Sequence, residues 1–129
     1  MTYAAASSTY REMEVLSATP GRLVVIVYDY LLVHLKRASI AIETKNVELR
    51  SESLSKAQLA VAELMRGLDI ERGGEMSLQL AALYSFFLTS LIDVGRKNDA
   101  KLLARITHQV GELRSAFAEI SVTQAASAA

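Results

Sequence analysis

The first long apolar segment of the chain reads LVVIVYDYLLV, at residues 23–33, where a single aspartate, Asp29, interrupts ten apolar or aromatic side chains. Its β-branched residues would suit a strand by propensity, but the apolar positions continue well beyond the length of a typical strand. Thr19 can accept a hydrogen bond from a helical amide, and Pro20 is favoured at the first position of a helix. The pattern therefore predicts a helix from Pro20 to about Lys45.

Two further helices are predicted from apolar residues that recur every three or four positions. Asn46 is expected to cap the second helix, at residues 47–69. The glycines of ERGG at 71–74 are expected to end the helical path, because glycine loses the most backbone entropy in a helix. The third helix is therefore predicted at 74–95. The two apolar stripes consist of Leu54, Val61, Leu64, Met65 and Leu68, and of Met76, Leu80, Leu83, Phe87, Leu91 and Val94.

The fourth helix is predicted at residues 98–121, with Asn98 as its cap. Its apolar residues are separated by four, four, three, four and three positions, which is the spacing of a heptad repeat. They are Leu102, Ile106, Val110, Leu113, Phe117 and Ile120. A continuous apolar seam of this kind is typical of a helix that packs lengthwise against other helices.

Helices joined by such short connections must fold back on one another. The predicted fold of residues 19–121 is therefore all-α, an antiparallel up-down four-helix bundle. Residues 1–18 are expected to form a short N-terminal helical segment with one apolar edge. That edge consists of Tyr10, Met13 and Leu16. The small and polar residues at 122–129 predict a mobile tail.

The composition indicates one domain and excludes several classes of protein. A chain of 129 residues with 51% hydrophobic content suits a single core. Fourteen basic and fourteen acidic residues cancel, and neither sign forms a long block, so nucleic acid is not an expected partner. There is no cysteine, which excludes disulfides and thiolate sites and fits a reducing cytoplasm.

Membrane insertion is not expected from the apolar segment at 23–33. A bilayer span needs roughly 20 mostly apolar residues, whereas this run contains Asp29 and is followed by His34 and Lys36. The chain opens MTYAAASSTYREMEV, which lacks the apolar core of a secretory signal. The expected location is therefore the cytoplasm.

Neither histidine supports a catalytic metal centre. A di-metal bundle uses Glu-x-x-His pairs, but the residue three before His34 is Leu31 and the residue three before His108 is Arg105. The adjacent glycines lack the further glycines and the lysine of a phosphate-binding loop. No serine has a histidine that the sequence could pair with it. Neither an enzymatic activity nor a cofactor is expected.

The predicted first helix has more apolar surface than one core-facing stripe requires. Apolar side chains occupy nearly its whole circumference, namely Val24, Val25, Val27, Tyr28, Leu31 and Leu32. Two interpretations stay open: the helix is central in the bundle, or it presents an apolar surface to a helix of another protein. Asp29 either lies on a solvated strip of this helix or acts as a polar anchor for a partner.

Four motifs stand in one order along the chain. They are TPGRLVVIVYDYLL at 19–32, KAQLAVAEL at 56–64, LDIERGGEMSLQLAALY at 68–84 and LLARITHQVGELRSAF at 102–117. Together they resemble the flagellar export chaperone family FliS over nearly the full chain. The resemblance is weaker at Phe117, where the family commonly has tryptophan, and at Val94-Gly95, where Ala-Asn is frequent.

The resemblance implies a non-enzymatic cytoplasmic chaperone that binds the disordered C-terminal segment of flagellin. It would prevent premature polymerisation and assist delivery to the flagellar type III export gate. A bundle with surplus apolar surface can receive the apolar faces of such a tail as helices in grooves. By similarity, the N-terminal segment with Tyr10, Met13 and Leu16 would be a lid that flagellin displaces. The alternative is a self-associating structural bundle, and a homodimer stays open.

The flagellin-binding grooves are expected along the second to fourth helices. The candidate residues are Gln58, Met65, Tyr84, Leu88, Leu91, Leu103, Ile106 and Val110. Each of them can equally belong to the core, and for the leucines and the isoleucine the core is the favoured interpretation. Asp29 is the candidate polar anchor.

Overall fold

The computed structural model describes residues 20–128, which form four helices and no strand. They are α1 (Pro20–Glu43), α2 (Val47–Arg66), α3 (Ile70–Lys97) and α4 (Ala100–Ala128). α1 packs against α2 and α4, and α3 closes the ring by packing against α2 and, less extensively, against α4. The predicted all-α bundle of four antiparallel helices is confirmed. Thr19 and the predicted lid residues Tyr10, Met13 and Leu16 lie outside the described residues.

The connection between α1 and α2 is a helix stop followed directly by a cap. Lys45 has φ of 56°, in the left-handed region, and the amide of Asn46 donates to the carbonyl of Ala41 at 2.9 Å. This geometry closes the last turn, so α1 ends at Glu43 rather than at Lys45. The Asn46 side chain then accepts from the amide of Leu49 at 3.1 Å, which confirms Asn46 as the cap of α2.

The start of α3 lies earlier than the glycine pair. α2 ends at Arg66, and the Asp69 carboxylate accepts from the amide of Arg72 at 3.1 Å, so Asp69 caps α3 instead of ending α2. Gly74 has φ of 56° and ψ of −133°, which interrupts the helical path inside α3. The break predicted at the glycines therefore exists, but as a kink after the first turn and not as the start of the helix.

The connection between α3 and α4 assigns different roles to two adjacent residues. Asn98 adopts a left-handed conformation with φ of 52° and ends α3. The Asp99 carboxylate accepts from the amide of Leu102 at 3.0 Å and caps α4. The prediction of Asn98 as the cap of the fourth helix is therefore wrong. α4 continues to Ala128, so residues 122–128 are helical, and their mobility stays a prediction.

The core lies along the axis of the ring and draws on all four helices. Its fully buried large side chains are Val25, Tyr28, Leu31, Leu35, Val61, Tyr84, Phe87, Leu91, Val94, Leu103, Ile106 and Val110. On α1, α3 and α4 these residues recur every three or four positions, as the predicted apolar stripes require. Two residues of those stripes are exposed instead, Met76 at 68% and Ile120 at 48%. Phe117 stacks on Tyr28 with ring centroids 5.4 Å apart, which extends the core toward the end of α4.

Candidate partner-binding surface

Five of the eight candidate binding residues lie in the core. Tyr84, Leu91, Leu103, Ile106 and Val110 are each no more than 1% exposed. They hold α3 and α4 against the rest of the bundle, so a partner could contact their side chains only if these helices moved apart. Their part in binding stays a prediction, while their burial gives each of them a packing role.

The other three candidates are accessible without any rearrangement. Gln58 and Met65 are half-buried on α2, and Leu88 is half-buried on α3. Met65 and Leu88 also pack against the core cluster, so each is anchored on one side and accessible on the other. Such partly covered apolar side chains are typical of the floor of a groove that binds a helix.

Tyr84 has a role that the sequence did not indicate. Its hydroxyl lies 2.5 Å from the hydroxyl of Tyr28, inside the bundle. Burial raises the pKa of both phenols above the ordinary value, because a buried phenolate loses its hydration. Both groups are therefore protonated at neutral pH, and one hydroxyl donates to the other.

Asp29, the candidate polar anchor, has a partner within the chain. The Arg114 guanidinium donates from Nε to Oδ1 of Asp29 at 2.8 Å and from Nη2 to Oδ2 at 3.4 Å. This pair connects α1 to α4, and the carboxylate raises the pKa of Arg114. The side chain of Asp29 is 45% exposed and that of Arg114 is 34% exposed. Water therefore screens the pair, and its contribution to stability is about 1 kcal/mol or less. That Asp29 anchors a partner stays a prediction.

The apolar surplus predicted for the first helix is mostly used inside the bundle. Val25, Tyr28 and Leu31 are fully buried, and Val24, Val27 and Leu32 pack against the core. Of the two interpretations left open, the central position of α1 is therefore the one that explains these six residues.

The apolar surface that stays uncovered belongs mainly to α3. Residues 76–92 contain no charged side chain over seventeen positions, between Glu75 and Asp93. By length and composition α3 could cross a membrane, which is weak evidence for a span, since core helices meet the same criteria. Only 28% of its most apolar window is buried, so the core does not account for most of this apolar character.

We call the uncovered side of this helix the outer α3 face. By helical spacing it consists of Leu78, Ala82, Ser85, Phe86, Thr89 and Ile92, with the half-buried Leu88 at its edge. Leu78 is 56% exposed, Phe86 51% and Ile92 52%. Large apolar side chains gathered on one charge-free face are typical of a protein-binding surface. The feature of the sequence that could have located this face is the charge-free stretch at 76–92, which is longer than packing against the core requires.

A metal centre finds no support in residues 20–128, where no three His, Asp or Glu side chains gather in a way that could hold an ion. His108 lies on the surface of α4, and its Nε2 is 2.6 Å from a carboxylate oxygen of Glu112, one turn away.

The family model described as "Flagellar protein FliS" matches residues 2–124 of the chain. The chain is 32% identical over 110 residues to "Flagellar secretion chaperone FliS" of Bacillus subtilis (strain 168), covering 85% of this chain and 81% of the relative. It is 32% identical over 111 residues to the protein of the same name from Salmonella typhimurium, covering 85% and 82%. It is 30% identical over 110 residues to "Flagellar secretion chaperone FliSB" of Pseudomonas aeruginosa, covering 85% and 87%.

Proposed function

The chain belongs to the FliS family of flagellar secretion chaperones, and from this premise we propose that it binds the disordered C-terminal segment of flagellin in the cytoplasm. Binding would prevent premature polymerisation of flagellin and assist its delivery to the gate of the flagellar type III export apparatus. The protein acts in this proposal without a cofactor and without catalysis. A lid formed by Tyr10, Met13 and Leu16, which flagellin displaces, is part of the same proposal.

The outer α3 face is the observation that carries this proposal. A flagellin segment that folds into an amphipathic helix needs an apolar surface of helical length that contains no charge to be desolvated. The stretch from 76 to 92 meets that requirement, since it is about 25 Å long at 1.5 Å per residue. Leu88 lies at the edge of the face and gives it a partly recessed floor.

The energetics suit a complex that forms and then releases. Leu78, Phe86 and Ile92 are each about half exposed in the free chain, so full burial would contribute about 1 kcal/mol per side chain. The flagellin segment loses conformational entropy as it orders, which costs several kcal/mol and offsets much of the gain. The balance favours a specific complex whose client can still be handed on at the export gate.

The test is calorimetric titration of this protein with a peptide from the C-terminal region of flagellin of the same organism. We expect a saturable one-to-one complex with a negative heat-capacity change, the mark of apolar burial. Phe86→Glu should weaken binding about tenfold or more, because it places a carboxylate on the face that the peptide covers.

Ile40→Glu is the matched control, since Ile40 is 45% exposed but lies on α1, which is diagonal to α3 in the ring. It should bind the peptide like the unmodified protein. If both variants lost binding equally, the assignment to α3 would be wrong. If the unmodified protein did not bind the peptide at all, the flagellin proposal would fail, and the self-associating bundle would become the better description.

A further inference from the structure

The α1–α2 and α3–α4 connections lie at the same end of the bundle, and a recess of about 320 Å³ lies between them. Pockets that bind small ligands have volumes of roughly 300–1,000 Å³, so this recess can hold one or two side chains of a partner. One part of its lining is apolar and consists of Ala41, Ile42 and Val47. The other part is polar, with none of the described lining residues acidic, and consists of Lys45, Asn46, Arg50 and Asn98.

The polar side chains of the recess have donors left over and their acceptors used. The side-chain oxygen of Asn46 accepts from the amide of Leu49, and that of Asn98 accepts from the Arg50 guanidinium. Each asparagine therefore has its NH₂ group available, and the guanidinium has further N–H groups. A ligand that fits these donors must supply acceptors, and a carboxylate supplies the strongest ones that a peptide has.

Two of these residues, Lys45 and Asn98, have the left-handed backbone conformation, with φ of 56° and 52°. Asparagine adopts this conformation readily, whereas lysine pays a steric cost there that glycine would avoid. The Lys45 ammonium forms no ion pair with any side chain of residues 20–128, so no such pair within that part of the chain explains why lysine occupies the position. A cation held in a strained conformation without a carboxylate partner is typical of a ligand contact.

The charges of the bundle are segregated along its axis. Residues 36–56 and 93–108, at the end that has the recess, contain nine lysines and arginines but five aspartates and glutamates. The rest of residues 20–128 contains four basic and seven acidic residues. The small net charge of the bundle is therefore the sum of a basic end and an acidic end, and the recess lies at the basic end. An acidic partner is attracted to that end selectively.

Two more cations border the recess. Lys97 directly precedes Asn98 in the chain and Lys101 lies in the first turn of α4, and both side chains are exposed. Neither forms an ion pair with another side chain in the described part of the chain. Asp99, the acidic residue between them, accepts from the amide of Leu102 as the cap of α4. The cations around the recess are therefore available to a partner.

We propose that the recess binds an acidic segment of another protein. A carboxylate of that segment lies between Lys45 and Arg50, and a neighbouring apolar side chain covers Ile42 and Val47. The recess is at the end of the bundle, whereas the outer α3 face runs along its side and ends at Ile92, six residues before Asn98. This inference therefore does not rest on the proposed flagellin binding.

A peptide fits the recess better than an inorganic anion or a nucleic acid. An inorganic anion would leave the apolar part uncovered, including Val47, which is 62% exposed, whereas an apolar side chain of a peptide gains free energy by covering it. The exposed carboxylates of Glu43 and Glu48 flank the α1–α2 connection and would repel a continuous phosphate backbone. A short acidic segment can place its carboxylates at the cations only.

The test is a titration of the full chain with the capped peptide acetyl-Gly-Asp-Glu-Leu-Asp-Glu-Gly-amide, followed by amide chemical shifts at about 0.15 M salt. We expect saturable shifts at Lys45, Asn46, Arg50 and Asn98. The same peptide with every acid replaced by its amide should bind about tenfold or more weakly, because it loses the charge-assisted hydrogen bonds. Equal binding of the two peptides, or no saturable shift around the recess, overturns the proposal. Sodium sulfate that binds the recess as tightly as the acidic peptide would show a site for small anions and overturns it too.

Lys45→Gly separates binding from folding. It removes the ammonium group and also relieves the left-handed conformation, so the thermal unfolding temperature should stay the same or rise. The dissociation constant of the acidic peptide should rise about fivefold or more. Lys36→Gln removes the same charge from an exposed residue of α1 that lies about 13 Å along the helix from Lys45, beyond the screening length of about 8 Å, and should leave binding unchanged. Unchanged binding by Lys45→Gly, or an equal loss in both variants, overturns the proposal.

Discussion

The hydroxyl oxygens of Tyr28 on α1 and Tyr84 on α3 lie 2.5 Å apart in the interior of the bundle. These helices are diagonal in the ring, so the contact spans the core between two elements that otherwise touch little. Both side chains are no more than 1% exposed, and within the core each hydroxyl has the other as its hydrogen-bond partner. Each buried hydroxyl needs the other as its hydrogen-bond partner, because the rest of the core is apolar. The pair therefore fixes the lengthwise alignment of α1 with α3.

Tyr84→Phe should lower the free energy of unfolding by about 1–2 kcal/mol, because it leaves the buried hydroxyl of Tyr28 without this partner. The double variant with Tyr28→Phe should cost less than the sum of the single changes, since it removes both polar groups. Urea unfolding measures all three, and Tyr30→Phe, on an exposed tyrosine, serves as the control. Additive single effects would mean that the two hydroxyls do not depend on each other.

Stability should fall as the pH rises above about 10, the ordinary pKa of a phenol. Burial raises the pKa of Tyr28 and of Tyr84 in the folded protein. Below pH 10 both phenols are protonated in both states, whereas above it the unfolded chain releases protons that the folded chain retains. The loss is up to about 1.4 kcal/mol per tyrosine for each further pH unit.

Comparing unfolding of the protein and of the Tyr28→Phe, Tyr84→Phe double variant at pH 9 and pH 11 isolates this effect from other alkaline titrations. The double variant should lose less stability between the two pH values. An equal loss would show that these two phenols do not titrate differently in the folded and unfolded chain.

Gly74→Ala should lower the free energy of unfolding by about 1–3 kcal/mol. No atom lies near the added methyl group, but φ of 56° with ψ of −133° is a conformation that residues with a Cβ rarely adopt. Gly111→Ala also meets no neighbouring atom, and because Gly111 is in the helical interior of α4 it should stabilise the protein by about 0.5–1 kcal/mol. Thermal unfolding of both variants checks the opposite signs; two changes of the same sign would contradict the kink at Gly74.

Ile106→Lys should unfold the protein or destabilise it by more than about 4 kcal/mol, because Ile106 is 1% exposed and the ammonium group would be buried without a partner. Ile92→Lys makes the same change at a residue that is 52% exposed and should cost about 1 kcal/mol or less. Circular dichroism of the two variants distinguishes core from surface. If the Ile106→Lys variant stayed folded but did not bind flagellin, Ile106 would be assigned to the binding site and not to the core.

The helix caps show which structural features the local sequence determines. Asn46 caps α2 as predicted, because its side chain can reach an amide within its own turn. At the connection between α3 and α4, Asn98 and Asp99 are both residue types favoured as helix caps, and the sequence pattern alone does not choose between them. The choice depends on which residue takes the left-handed conformation that ends α3, and that depends on how α3 and α4 pack.

The binding candidates show the same division. Tyr84 and Leu88 are both large side chains of the third helix, four positions apart, and helical spacing places them on the same side of that helix. In the folded chain Tyr84 is 1% exposed and meets Tyr28, whereas Leu88 is half-buried at the edge of the outer α3 face. These two residues are only four positions apart, and it is the packing of the neighbouring helices that buries Tyr84 and leaves Leu88 accessible.

The sequence by itself determined the four helices, their apolar seams and their up-down order, because helical periodicity, caps and short connections act over a few residues. It also supplied the motifs by which the family is recognised. Only the tertiary structure decided which apolar residues are covered. α1 has a neighbour on each flank and the core in front of it, so most of its apolar surplus is buried, whereas α3 packs less closely against α4 and keeps Leu78, Phe86 and Ile92 accessible. Burial depends on what the other helices cover, and no periodicity along one helix contains that information.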